Sequence, residues 1–173
     1  MRHLGELADT QITILVDSRE QNPLPFNRLQ TRVASLVSGD YSAAGLQDLF
    51  AIERKSVPDL VACCMAGNRA RFERELCRLR GHRFARLLVV GSQEEILAGQ
   101  YHSKINPKAV MASLYAFEAR YIPVVFSPTP EAAGRLVERF AFWFAREIVE
   151  SVNDLWRAAE CRARRARRDV QPV

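Results

Sequence analysis

Asp40, and then Glu53 with Lys55 two residues further on, bring two carboxylates and one ammonium group into a spacing suited to hydrolysis at a phosphate. Cleaving a phosphodiester needs an acceleration on the order of 10¹⁵-fold or more. One general acid or base supplies only about 10² to 10⁴ of it, so a metal ion has to provide much of the rest. Mg²⁺ takes hard oxygen ligands, and carboxylates gathered at strand ends can hold it while water and phosphate oxygens complete an octahedron. Lys55 could then orient or help deprotonate the attacking water and offset charge on the phosphorane-like transition state. Taken alone, Glu-x-Lys also describes a mutually screened pair on an exposed strand edge. Its surroundings weigh against that reading, because Asp17 and Glu20 end another apolar segment and Asp40 follows Gly39.

These side chains need elements to aim them. Residues 12–16 are apolar on both alternating faces, as in a strand buried within a sheet, and they end in Asp17, Ser18, Arg19 and Glu20. Residues 32–37 read as a second strand running into Ser38, Gly39, Asp40 and Tyr41, after a Pro-bearing turn at 22–25. Residues 49–55 form a third. Alternation there puts Leu49, Ala51, Glu53 and Lys55 on one face, and Phe50, Ile52 and Arg54 on the other. The period then becomes helical over 57–65 and 69–80, broken at Gly67 and Asn68. A buried strand over 84–90 follows, then helices over 93–98 and 107–120, the second opened by Asn106 as N-cap and Pro107 at the first position. A strand over 121–126 and a long helix from Pro130 to about Trp156 complete the pattern. Such an order predicts an α/β sandwich with a mixed central sheet flanked by helices.

Val16-Asp17-Ser18-Arg19-Glu20, Gly39-Asp40-Tyr41 and Glu53-Arg54-Lys55-Ser56 with Asp59 together match a G-D, gap, E-R-K-x-x-x-D signature. In these residues the chain resembles the nuclease domain of the xeroderma pigmentosum group F (XPF) family, which includes archaeal Hef nucleases, within the wider PD-(D/E)xK group. The resemblance covers about residues 12–149. It implies a restriction-endonuclease-like fold, dependence on Mg²⁺ or Mn²⁺, and cleavage of branched, flapped or forked DNA near duplex to single-strand junctions in repair or recombination. Carried over by motif position, the functional set is Asp17, Arg19, Glu20, Asp40, Glu53, Arg54, Lys55 and Asp59, with Asp17, Asp40 and Glu53 as metal ligands. Two other readings stand beside it: a DNA-binding scaffold subunit supporting a partner nuclease, and a mobile-element nuclease acting on unbranched DNA. Concentrating carboxylates next to phosphate gives a pure binding surface nothing, which disfavours the scaffold.

Several residues carry a plainer alternative. Ser56, Val57, Pro58 and Asp59 also spell a capping box, so Asp59 can cap a helix, support catalysis, or do both. Arg69, Arg71, Arg74, Arg78 and Arg80 alternate with Glu73 and Glu75, as a solvated helix face does. The family resemblance makes Arg69 and Arg71 candidates for backbone phosphate contacts, with Phe72 and Leu76 as the buried stripe. Phe140, Trp143 and Phe144 share one broad face of the long helix, while Phe142 points nearly opposite. An aromatic there implies a second burial surface, hence a homodimer through residues 130–156.

The chain has 173 residues and 48% apolar composition, enough for one core, and is divided here into a nuclease domain over 10–152 and a basic tail over 153–173. Six of the 25 Lys and Arg residues and one of the 20 Asp and Glu residues lie between 157 and 168, leaving 19 of each sign elsewhere. The net charge of +5 therefore resides in the tail, where Arg164, Arg165, Arg167 and Arg168 are candidate DNA contacts. The alternative is that the tail continues the long helix with its Arg residues facing water. No tandem helix-hairpin-helix module is expected after Trp156, so duplex binding is left to the basic tail or to a possible protein partner. Cys63, Cys64, Cys77 and Cys161 have neither zinc-site spacing nor a disulfide framework and are expected to be reduced thiols. His3, His82 and His102 are isolated. No apolar run is long enough to span a membrane and no signal peptide is evident, so a soluble, intracellular protein is expected, in the nucleoid or the nucleus according to the organism.

Overall fold

The structure is a computed structural model, described for residues 4–5 and 7–168, and for side chains up to residue 162. Its centre is a six-stranded mixed sheet in the order β2-β1-β3-β4-β5-β6. The strands are β1 (Thr13–Asp17), β2 (Gln30–Ala34), β3 (Tyr41–Ala43), β4 (Phe50–Ser56), β5 (Phe84–Val90) and β6 (Val124–Ser127). The pairs β1–β2, β4–β5 and β5–β6 are parallel, while β3 runs antiparallel to both β1 and β4.

The helices are α1 (Val57–Cys64), α2 (Ala66–Leu79), α3 (Gln93–Leu97), α4 (Pro107–Arg120) and α5 (Pro130–Arg168). Helices α1 to α4 cover one face of the sheet, where Leu60, Phe72, Leu76, Ile96, Leu114 and Phe117 pack on Ala51, Leu87 and Val89. Helix α5 covers the other, with Ala133, Val137, Ala141 and Phe144 against Ile14, Phe50, Ile52 and Leu88. The alternation in β4 is therefore real: Ala51 faces one core while Phe50 and Ile52 face the other. This is the α/β sandwich with a mixed central sheet expected from the element order.

Two helix starts follow from side-chain capping. Ser56 caps α1 by accepting from the Asp59 N–H, and Asn106 caps α4 by accepting from the Lys108 N–H. Three local expectations need correcting. The second strand lies at Gln30–Ala34 and not at 32–37, because the Leu36 N–H is drawn out of the ladder to the Asp17 carboxylate at 2.7 Å. The three-residue strand β3 was not anticipated, and it is what joins β1 to β4. Helix α5 continues past Trp156 to Arg168.

Phe142 does not form an exposed second surface. It is half-buried against the α5-side core, and the Arg28 guanidinium lies 5.0 Å from its ring centre. Trp143, 61% accessible, is the most exposed aromatic of α5 among the described residues. Further along, Val152 and Leu155 carry the spacing of the core-facing stripe onward and are exposed. Among the described residues, no helix is long and apolar enough to cross a membrane.

Candidate active site

The ends of β1 and β4 and the start of β3 meet at Asp40, and the backbone fixes it there before any side chain acts. The Asp40 N–H donates to Ile52 O at 2.8 Å, and its carbonyl accepts from the Asp17 N–H at 2.8 Å. Gly39 makes this approach possible. Its φ is +78°, and an added Cβ would sit 3.0 Å from Ile52 O, so a side chain here would meet both backbone strain and a wall. The Asp40 carboxylate then accepts the Arg54 N–H at 2.7 Å through Oδ2.

Glu53 and Lys55 project from the same face of β4 and are paired, Nζ to Oε1. Lys55 also sits 5.6 Å from the centre of the Phe72 ring on α2. Asp40, Glu53 and Lys55 share a cleft of about 430 Å³ with Asp17, Arg19 and Asp59. Helix α2 forms the opposite wall with Asn68, Arg71, Phe72, Glu75 and Arg78. Arg54, on the other face of β4, lines an adjoining recess with Glu20, Asn22 and Asp40. Its Nη1 lies 4.0 Å from Glu20 Oε1 and its Nη2 donates to Asn22 O at 3.2 Å, while its buried Nε has no hydrogen-bond partner among the described residues.

The carboxylates divide by environment. Burial pushes Glu53 up to about 8, and the Asp40 charge adds to this while Lys55 opposes it. Burial likewise pushes Asp40 up to about 6, opposed by the Arg54 N–H and the Lys55 charge. For Lys55 burial acts to lower the pKa, but the Glu53 charge and hydrogen bond outweigh it and raise the group above its ordinary value. Asp17 behaves differently. The Arg19 hydrogen bond holds its carboxyl below the usual range despite burial.

Both Asp17 oxygens are taken. Oδ1 accepts the Arg19 N–H at 2.8 Å and Arg19 Nε at 2.7 Å, and Oδ2 accepts Arg19 Nη2 at 3.1 Å and the Leu36 N–H at 2.7 Å. The expectation of Asp17 as a third metal ligand is not carried by this geometry, because the carboxylate is spent on pinning the loop after β2. Among the described residues no three His, Cys, Asp or Glu side chains are grouped as a metal cage. A hydrated hard cation does not require one. Mg²⁺ usually keeps several waters and takes only one or two carboxylates. Half-buried Asp40 and buried Glu53 suit that role, since each is disfavoured as a bare anion and open at one oxygen.

The remaining expected residues sit as follows. Asp59 lines the cleft and accepts Ser56 Oγ–H at 2.6 Å, so capping and site membership coincide. Glu20 accepts the Asn22 N–H at 2.8 Å and faces Arg54. Arg71 reaches the cleft wall. Arg69 does not: it pairs with Glu73 at 2.9 Å, donates to Ser113 Oγ at 2.8 Å and stacks over Phe117, which ties α2 to α4. The side chains of Arg164, Arg165, Arg167 and Arg168 lie outside the described residues. Glu75 was read as part of a solvated face, yet it lines the cleft and its charge acts on Asp40, Glu53 and Lys55. Its spacing of four from Arg71 and three from Phe72 and Arg78 was the available signal.

A mixed sheet sandwiched by helices, with acidic residues and a lysine where β1, β3 and β4 meet, defines the restriction-endonuclease-like class. Residues 16–140 match the ERCC4 domain, and the chain belongs to that family, carrying an XPF-type nuclease domain. In structure it is similar to XPF from Aeropyrum pernix, with a TM-score of 0.61 and 20% identity over 78% of this chain and 62% of that one. It is similar also to XPF from Aeropyrum pernix in complex with DNA, with a TM-score of 0.61 and 19% identity over 78% of this chain and 66% of that one. The chain thus spans just under two thirds of the solved chains it resembles. Comparison with curated protein sequences gives no match.

Proposed function

We propose that this domain is a divalent-metal-dependent DNA endonuclease that hydrolyses phosphodiester bonds at branched, flapped or forked DNA. The observation that carries the reading is buried Glu53, paired with Lys55, beside half-buried Asp40 inside the cleft of an ERCC4 domain. Asp40 and Glu53 would hold Mg²⁺ or Mn²⁺. The bound ion would polarise a phosphoryl oxygen and lower the pKa of a coordinated water.

The chain's own residues supply the rest. Lys55, held charged by Glu53, would orient the attacking water and balance charge accumulating on phosphate oxygens. Arg19 anchors the loop after β2 through Asp17 and Leu36, keeping that wall in place. Arg54 fixes Asp40 through its backbone N–H. Arg71, at the rim, meets a neighbouring backbone phosphate. Repair or recombination is the matching role. A homodimer through α5 is supported by the exposure of Trp143, Val152 and Leu155, and the basic 153–173 segment or a protein partner would add duplex affinity.

One panel of duplex, flap, fork and single-stranded DNAs, incubated with Mg²⁺, Mn²⁺ or EDTA, tests this. Metal-dependent nicking near junctions is the expected result. Metal-independent cleavage, or binding with no cleavage in any metal, would overturn it, the latter in favour of a scaffold.

A further inference from the structure

A second cavity of about 660 Å³ opens beside the active cleft, between the loop after β2 and the turn joining α2 to β5. The two share a wall made of Val37, Ser38 and Arg78. Val37 is 93% exposed, the most exposed large apolar side chain among the described residues. An isolated exposed valine is ordinary. This one stands on a loop anchored at its neighbour, because Leu36 is held from both sides: its N–H by Asp17 at 2.7 Å and its carbonyl by Arg19 at 2.9 Å. The lip is thus pre-organised, and it separates a polar reaction cleft from a lobe that includes Leu36, Gln47 and His82. His82 commits Nδ1 to Leu79 O at 3.1 Å, which leaves Nε2 as the ring's available nitrogen.

We propose that this lobe is a subsite for one unstacked nucleotide of the DNA strand being cut, next to the scissile phosphate. The proposal rests on the nuclease reading above and deepens it. The cavity has the volume of a small-ligand site. Val37 offers an apolar surface against the face of a base, Gln47 and His82 offer hydrogen-bonding groups for its edge, and Arg78 stands where the two cavities join to meet the phosphate between the two nucleotides. A base can enter such a side lobe only by leaving its stack. That costs most within continuous duplex and least at a single-stranded or frayed position. The lobe therefore favours junctions over uninterrupted duplex through the strand's own deformability, without reading sequence.

The experiment places 2-aminopurine at successive positions around the cleavage site of a flap and follows its fluorescence on binding the full chain. One position adjacent to the cut should brighten on unstacking. Gln47→Trp and Asp48→Trp, both at exposed positions of the lobe and outside the cleft, should fill it; Val37→Gly should remove the lip. Each should abolish the signal and lower flap cleavage by about 5-fold or more relative to a nicked duplex control, the lower end for one lost base contact. Flap cleavage with no brightening at any position, or brightening undiminished in both Trp variants, overturns the subsite and leaves the nuclease reading intact. Absence of DNA binding and cleavage overturns both.

Discussion

Glu53 and Glu138 are buried to 1% and 3% exposure on opposite sides of the same sheet, and they are treated in opposite ways. Glu138, on α5, gives one oxygen to three backbone N–H groups, those of Asn27 at 2.9 Å, Arg28 at 2.7 Å and Leu29 at 3.0 Å. It closes the loop between β1 and β2 against the helix. Close by, Gly134 lets that loop in, since a Cβ there would run into Pro25 O. Glu53 has a single donor, Lys55, and a second carboxylate beside it. A buried carboxylate with donors enough is architecture, whereas one short of donors fits the proposed role of holding a cation.

The sharpest break in that contrast is chemical. Asp40→Asn and Glu53→Gln should each lower cleavage by about 10³-fold, the upper end for loss of one pre-organised charge-stabilising group. Both should remain folded, and their melting temperatures without metal at pH 8 should rise. Unimpaired cleavage by either at matched DNA binding would remove the metal assignment. Lys55→Ala should lose turnover while retaining metal binding, read by Mn²⁺ titration; outright unfolding would make the pair structural.

Glu138 should show the reverse. Glu138→Ala leaves three N–H groups without their acceptor and should destabilise the fold by about 3 kcal/mol, at roughly 1 kcal/mol or more per orphaned group. Urea denaturation would report it. Glu138→Gln retains an acceptor oxygen and should cost less. A Glu138→Ala protein as stable as the parent would mean that the loop is held elsewhere.

The pH dependence separates the same two regions. Asp40 and Glu53 have folded pKa values raised to about 6 and about 8 from ordinary values of 3.8 and 4.5. The native state thus binds more protons than the unfolded chain in this window, so their contribution is fully present below pH 4 and is lost as pH rises to about 8. Asp17, with its lowered pKa, contributes the opposite sign, stabilising above its ordinary value and losing that stability only in strong acid. Metal-free stability measured from pH 5 to 9 should fall, and added Mg²⁺ should flatten the fall by binding the ionised pair. A flat metal-free profile would contradict the strain assigned to Asp40 and Glu53.

The parts of this arrangement that were legible in sequence are those set by local periodicity. The alternation from Phe50 to Lys55 gave the faces of β4, and Ser56 and Asn106 announced two helices. What was hidden depends on partners far along the chain. Strand β3 has only three residues and exists because β1 and β4 are there to flank it. Asp17 looks like a ligand until Arg19 and the Leu36 N–H, 19 residues away, consume its oxygens. Phe142 looks exposed on a lone helix until Arg28 covers it. Arg69 and Arg71 are equivalent in a charge pattern, and only the packing of α2 on α4 turns one inward and leaves the other at the cleft.

Glu75 offers the finest test of the contrast, because it is a half-buried carboxylate whose charge reaches the site from another element. It bears on Asp40 and Glu53, raising both, and on Lys55, keeping it charged. If the cleft stores negative charge for a cation, Glu75→Gln removes part of that store without touching either proposed ligand. Half-saturating Mn²⁺ should then rise by about 10-fold, the lower end for loss of a supporting group around a metal site. Glu75→Asp should recover much of it. The metal-free melting temperature at pH 8 should rise, by about 2–4 °C for each kcal/mol of repulsion relieved. The two shifts together distinguish an electrostatic role from a packing one, since a packing defect on α2 would lower the melting temperature and weaken metal binding at once. Were both quantities unchanged, Glu75 would return to the solvated face that the charge pattern of α2 first suggested.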